Sequence, residues 1–129
     1  LRAAELLQDE GIEATVLDPV SLIPLDYDRI AREAGKTGNL IVVDNGWTCC
    51  GASAEILADL AERGTGAKMK RMGFAPTTCP TSPALEDLFY PNPATIAQAA
   101  HEMLRPGKPY TPDPERAKLA YQVAFKGPF

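Results

Sequence analysis

The chain is poor in cysteine and histidine and has no long apolar run, and each shortage excludes something. Its three cysteines, Cys49, Cys50 and Cys79, do not make a disulfide framework. Two are adjacent, adjacent cysteines rarely pair with each other, and an odd count fits a reducing compartment. A cytoplasmic location is expected. The single histidine, His101, leaves no C-x-x-C or H-x-x-H spacing, so no metal site is expected. No stretch approaches the ~20 apolar residues that cross a bilayer, which excludes a membrane span, and no signal-peptide pattern opens the chain. Basic residues are outnumbered, 13 Lys and Arg against 17 Asp and Glu, for a net charge of -4. That balance argues against nucleic acid as a partner, because phosphate binding needs clustered Lys and Arg.

What is present is an ordinary globular composition, 45% hydrophobic and 23% charged over 129 residues, enough for one domain with a single core. Leu1 to Glu10 reads as a helix with Ala3, Ala4, Leu6 and Leu7 on one stripe and Gly11 as its stop. A chain that opens in mid-helix suggests a fragment. Ile12 to Leu17 alternates like a strand until Asp18-Pro19. Asp26 caps a helix with Tyr27, Ile30, Ala31 and Ala34 inward and Gly35 at its end. Leu40 to Val43 is a β-branched run of the kind buried on both faces of a parallel sheet, and it ends at the Asp44-Asn45-Gly46 turn.

A helix follows from Gly51 to Arg63, with Ile56, Leu57, Leu60 and Ala61 inward. Ala67 to Met72 then reads as a strand near a sheet edge, and Gly73 to Ser82 as loop. Leu85 to Pro93 reads as a loop-to-helix junction: two aromatics, Pro91, an Asn92 cap and Pro93 at the first helical position. The last helix, Pro93 to Leu104, carries Ile96, Ala99, Ala100, Met103 and Leu104 at helical spacing. From residue 105 to 129 the chain is a Pro-rich tail with a short helix around Glu115 to Ala124. Its apolar tip (Tyr121, Val123, Phe125, Phe129) is expected to dock on its own domain or a neighbouring subunit. The alternation of helices and strands predicts an α/β fold, with a mostly parallel sheet between layers of helices.

Candidate chemistry is sparse. Cys49-Cys50 follows a strand end and precedes a helix, where backbone amides could activate a thiol. No histidine is placed to serve it, and small residues packed at a turn is the plainer reading; Cys79 is read the same way. His101 is a polar-face or partly packed helix residue. Gly46 and Gly51 flank Trp47-Thr48-Cys49-Cys50, which is neither a dinucleotide fingerprint nor a P-loop. The position nevertheless lies beyond the carboxyl end of a strand, where open α/β sheets meet ligands and partners. Asp44 and Trp47 are therefore interface candidates, with Trp47 read equally well as cover over the sheet edge. Asp59 and Glu62 share one helix face, by default a solvated one. Glu86 and Asp87 are placed in the loop before the last helix. No catalytic, cofactor-binding or metal-binding residue is assigned.

Three segments carry a resemblance. Val16-Leu17-Asp18-Pro19-Val20-Ser21-Leu22-Ile23-Pro24-Leu25-Asp26 resembles "V-I-D-L-R-T-I-x-P-L-D". Thr37-Gly38-Asn39-Leu40-Ile41-Val42-Val43-Asp44-Asn45-Gly46-Trp47 resembles "T-G-R-L-V-V-V-E-E-G-W". Leu85 to Pro93 resembles "L-E-x-x-F-Y-P-N" before a final helix. In this order and spacing, covering Leu1 to Leu104, they resemble the C-terminal domain of transketolase-type, thiamine-diphosphate-dependent enzymes, most of all the β subunit of the 2-oxo acid dehydrogenase E1 component. Asn45, Ser53 and the Ala75-Pro76-Thr77-Thr78-Cys79-Pro80 stretch depart from the pattern.

The resemblance implies a three-layer α/β/α domain over residues 1–104 that lacks its family's first strand, followed by the tail. It implies no chemistry in this domain, because thiamine diphosphate and Mg2+ are held by other domains of the parent enzyme. The parent would decarboxylate a 2-oxo acid and pass the acyl group to a lipoyl arm. Implied partners are an E1 α subunit or domain, a second β subunit and the subunit-binding domain of the acyltransferase (E2), which Asp59 and Glu62 would meet. The matching domain of a transketolase or deoxyxylulose-phosphate synthase relative is the alternative, and a stand-alone flavodoxin-like or nucleotide-binding module is another.

Overall fold

A computed structural model describes residues 1–117. They divide into two compact units, one built from Leu1–Val16 with the segment beginning at Asn92, the other from Leu17–Pro91.

The first unit pairs helix α1, Arg2–Gln8, with helix α5, Pro93–Leu104. Leu6 and Leu7 of α1 are buried with Ile12 and Ala97, and Ala3, Ala100 and Tyr110 pack around them. Alanines on α5 let the α1 leucines approach closely, and burial of those leucines supplies about 2 kcal/mol each. Gly11 ends α1 as expected, its N–H and that of Ile12 reaching the Gln8 and Leu7 carbonyls at 3.0 Å. The start of α5 is fixed by a reciprocal cap. Thr95 N–H donates to Asn92 Oδ1 at 2.9 Å and Asn92 N–H donates to Thr95 Oγ1 at 3.0 Å, with Pro93 in the first turn, where no N–H is needed. Replacing Asn92 with Ala is expected to cost about 1 kcal/mol in chemical denaturation, the usual worth of such a cap.

Past α5 the chain turns back on its own unit. Tyr110 stacks on His101 with ring centroids 4.6 Å apart and donates its hydroxyl to the Leu6 carbonyl at 3.1 Å. Burial pushes the Tyr110 phenol up, helped by the nearby Glu10 and Asp9 charges. His101 is thus a buried stacking residue, not a polar-face one. Residues 114–117 form a helical turn; most of the helix expected from 115 to 124, and the whole apolar tip, lie outside the described residues.

Arg116 hydrogen-bonds Asp9 and holds its carboxyl below the ordinary range. A depressed carboxyl pKa contributes stability above the unfolded value of about 3.9, and that contribution is lost as pH falls through the folded value. Both side chains are about half exposed, so solvent keeps the effect small. NMR titration should find Asp9 titrating low in the native chain and near its ordinary value in Arg116→Ala.

The second unit runs α2 (Tyr27–Thr37), β1 (Asn39–Trp47), α3 (Ala52–Glu62), β2 (Lys68–Phe74) and α4 (Pro83–Phe89). β1 and β2 pair in parallel, Asn39 opposite Lys68 through Val43 opposite Met72. A parallel pair needs a crossover, and α3 supplies it, burying Ser53, Ile56 and Leu60. Asp26 caps α2 as expected, accepting from Arg29 N–H at 2.9 Å. The α/β class with parallel strands is therefore what the structure has.

Several details differ from the sequence reading. Residues 12–17 belong to no ladder; alternation alone does not make a strand where no neighbouring strand completes its hydrogen bonds. α2 runs through Gly35 and stops at Gly38, whose φ of 67° lets its N–H return to the Ala34 carbonyl at 2.9 Å. Leu40 to Val42 are half-buried and Val43 is exposed, rather than covered on both faces. Ala61 is exposed and Ser53 takes the inward position. Glu86 and Asp87 lie in helix α4, not in a loop, which begins at Pro83 in its first turn after Ser82.

Candidate functional site

The most distinctive geometry lies between the end of β1 and the start of α3. After Val43 pairs with Met72, the next partners are Trp47 and Phe74, so β1 spends four residues where β2 spends two. The surplus forms a bulge at Asp44-Asn45-Gly46 that redirects the strand end. Asp44 Oδ2 accepts the Ser53 backbone N–H at 3.3 Å. Gly51, the cap position of α3, has no side chain to offer, so the strand's carboxylate satisfies one of the unpaired amides of that helix terminus and meets its positive dipole end.

Trp47 closes an aromatic cluster. Its indole sits edge-on to Phe74 at 5.7 Å and to Phe89 at 5.8 Å, Phe74 and Phe89 stack at 4.9 Å, and Tyr90 meets both edge-on. Phe89 is 3% exposed, whereas Trp47 keeps 45% of its surface open. Trp47 thus packs over the cluster with one part of its ring and leaves the rest open to solvent. Next to Phe89 on α4, Leu88 is 77% exposed and Leu85 also faces solvent. The aromatic pairing of strand ends with the α4 terminus was not read from the sequence, although Phe89-Tyr90 signalled a packed turn.

Asp59 and Glu62 lie in the last turns of α3, about 9 Å and about 14 Å along the axis from Ser53 at a rise of about 1.5 Å per residue. The structure therefore does not bring the four candidates together. Asp59 is engaged by Arg63, which also pairs with Asp28 and lies 5.6 Å over the Tyr27 ring. The hydrogen bonds to Asp59 and then Asp28 push the Arg63 guanidinium up. This arginine, four residues after Asp59, was missed by the sequence reading; the i,i+4 spacing was its signal. Of the acidic pair, Glu62 is exposed while Asp59 is already neutralised by Arg63.

The cysteines sit differently from expectation. Cys49, Cys50 and Cys79 are all free and exposed, not packed. Cys79 Sγ lies 3.4 Å from the Tyr90 hydroxyl. Cys49 and Cys50 hold their sulfurs 3.8 Å apart in one hydrogen bond, and that bond, before any other influence, pushes the Cys50 thiol up. Among the described residues no group of three or more His, Cys, Asp and Glu side chains could hold a metal ion, and no helix is long and apolar enough to cross a membrane.

Residues 1–96 match the model of the transketolase C-terminal domain. The chain is 40% identical over 111 residues to the acetoin:2,6-dichlorophenolindophenol oxidoreductase subunit beta of Cupriavidus necator, covering 84% of this chain and 33% of that one. The Bacillus subtilis protein of the same name is 41% identical over 107 residues, 81% of this chain and 31% of its own. The mitochondrial pyruvate dehydrogenase E1 component subunit beta of Pisum sativum is 37% identical over 103 residues, covering 78% and 29%. The chain thus spans about a third of the length of the curated relatives it matches.

Proposed function

Because the chain belongs to the transketolase C-terminal-domain family, we propose that it is the non-catalytic assembly and partner-binding domain of a thiamine-diphosphate-dependent 2-oxo acid dehydrogenase, as part of its E1 β subunit. Family membership displaces the flavodoxin-like and nucleotide-binding alternative, and the names of the relatives favour a dehydrogenase β subunit over a transketolase or deoxyxylulose-phosphate synthase. In this reading the parent enzyme oxidatively decarboxylates a 2-oxo acid in the cytoplasm and transfers the acyl group to a lipoyl arm. Thiamine diphosphate and Mg2+ are assigned to other parts of the parent.

The observation that carries the assembly role is apolar surface turned to solvent. In the second unit Val20 is 98% exposed, Ile23 93% and Leu88 77%, with Leu22, Leu85 and Trp47 also open. Exposed large apolar side chains in this number mark protein contact surfaces. The partners proposed are an E1 α subunit or domain, a second β subunit and the acyltransferase's subunit-binding domain. The 1–104 domain carries these surfaces, and residues 105–129 act as an appended tail. Trp47 and Glu62 are the interface residues with side-chain surface to spare.

Leu88→Glu in the complete β subunit tests this reading. The residue touches little within its own unit, so circular dichroism and thermal unfolding should stay unchanged. Sedimentation with the α subunit should show dissociation to smaller species. An assembly as stable as that of the unaltered protein would remove α4 from the interface, and the same result for Ile23→Glu would remove the carrying observation with it.

A further inference from the structure

The Cys49-Cys50 pair is unused by the assembly reading, and its geometry is unusual. Two thiols are exposed side by side on the turn between β1 and α3, their sulfurs 3.8 Å apart. The turn holds them there. Cys50 has a φ of 57°, the left-handed region that a non-glycine residue seldom occupies. Behind it, Gly51 is pressed against the Trp47 carbonyl so closely that a Cβ would lie 2.1 Å from the oxygen. In front, the Arg71 guanidinium donates to the Thr48 carbonyl, tying the turn to β2. A non-glycine residue in that backbone region persists only where its surroundings over-determine it.

Two sulfurs bound at about 2.3 Å each to one soft pyramidal centre, with an angle of about 95–100° between the bonds, stand about 3.4–3.5 Å apart, a few tenths of an ångström inside the separation seen here. The pair is therefore close to the bite of a two-thiolate chelate, which a small rotation of the two exposed side chains completes. It is poorly set for closing on itself, since neighbouring Cα atoms are about 3.8 Å apart while disulfides usually need about 4.4–6.8 Å. A tetrahedral metal needing four protein ligands is not served, because no third ligating side chain joins the pair among the described residues. A centre that brings its own remaining substituent is served.

We infer that Cys49 and Cys50 form a chelating site for trivalent arsenicals, the class of soft electrophile that takes two thiolates and keeps one organic group. With an organoarsenic(III) oxide, both S–H bonds break, two As–S bonds form, and the oxide oxygen leaves as water with the two protons. No atom changes oxidation state. Cys79, whose sulfur lies against the Pro80 carbonyl at 3.7 Å and the Tyr90 hydroxyl at 3.4 Å, takes no part.

The test uses the full chain, kept reduced with a phosphine, and phenylarsine oxide as the probe. Without the probe, iodoacetamide should alkylate all three cysteines. With one equivalent, intact mass should gain one phenylarsenic group less two hydrogens, and alkylation should survive at Cys79 alone. Cys49→Ser and Cys50→Ser should each weaken retention at least ~100-fold, since the second bond then loses its effective concentration. Either variant suffices if the other misfolds. The urea-unfolded chain should bind more weakly than the native one. Equal retention by a single-thiol variant, an adduct that includes Cys79, or equal binding by native and unfolded chain would each overturn the site.

Discussion

Phe89→Ala is expected to destabilise the second unit by about 3–5 kcal/mol, the range for removing a buried aromatic ring. Phe89 is 3% exposed and is the hub of its cluster, stacked on Phe74 and edge-on to both Trp47 and Tyr90. Truncation removes the burial term and leaves three rings facing a void, because the neighbours are anchored on β1, β2 and the α4 terminus and cannot collapse into it. The edge-on and stacked geometries add about 0.5–1.5 kcal/mol per pair beyond area. The adjacent residue provides the contrast: Leu88→Ala, at 77% exposure, should stay within about 0.5 kcal/mol. Urea denaturation followed by Trp47 fluorescence reads both, since the indole lies on the cluster. A Phe89→Ala chain that unfolds at the native midpoint would mean the cluster is decoration on a unit held elsewhere.

Local chemistry was legible in the sequence where one residue decides the outcome. Asp26 and Asn92 cap helices as read, Gly11 stops α1, and the order of elements from Asp26 to Lys70 follows the periodicity. Several of the misses share a cause: they depended on a neighbour distant along the chain. Residues 12–17 alternate like a strand but have no ladder, and a strand exists only through pairing. Val43 reads as core yet is exposed, because burial belongs to the sheet's surroundings and not to the β-branched run. Asp59 looked like an open acidic face until Arg63 and Asp28 joined it. The cysteine pair was read correctly as a turn, but whether a turn packs its side chains or presents them is fixed by backbone direction, here the left-handed φ at Cys50.

Gly51→Ala is expected to cost about 3 kcal/mol or more, at or above the upper end of ordinary overpacking. The glycine has an extended φ of -84°, which any residue adopts, so the penalty is steric rather than conformational. An added Cβ would stand 2.1 Å from the Trp47 carbonyl oxygen and 3.1 Å from Asp44 Oδ2. The first obstacle is backbone and cannot swing aside, so the first turn of α3 must lift from the end of β1. That movement breaks the Ser53 N–H bond to Asp44 and releases the strand bulge that aims Trp47 at Phe89. Gly35→Ala gives the opposite sign. Gly35 lies inside α2, has nothing within 4 Å of its added Cβ, and should gain about 0.5–1 kcal/mol from helix propensity. Equilibrium denaturation of the two variants side by side separates space from propensity. A Gly51→Ala chain as stable as the parent would show that the β1–α3 junction yields freely, and the cysteine geometry preset by that junction would yield with it.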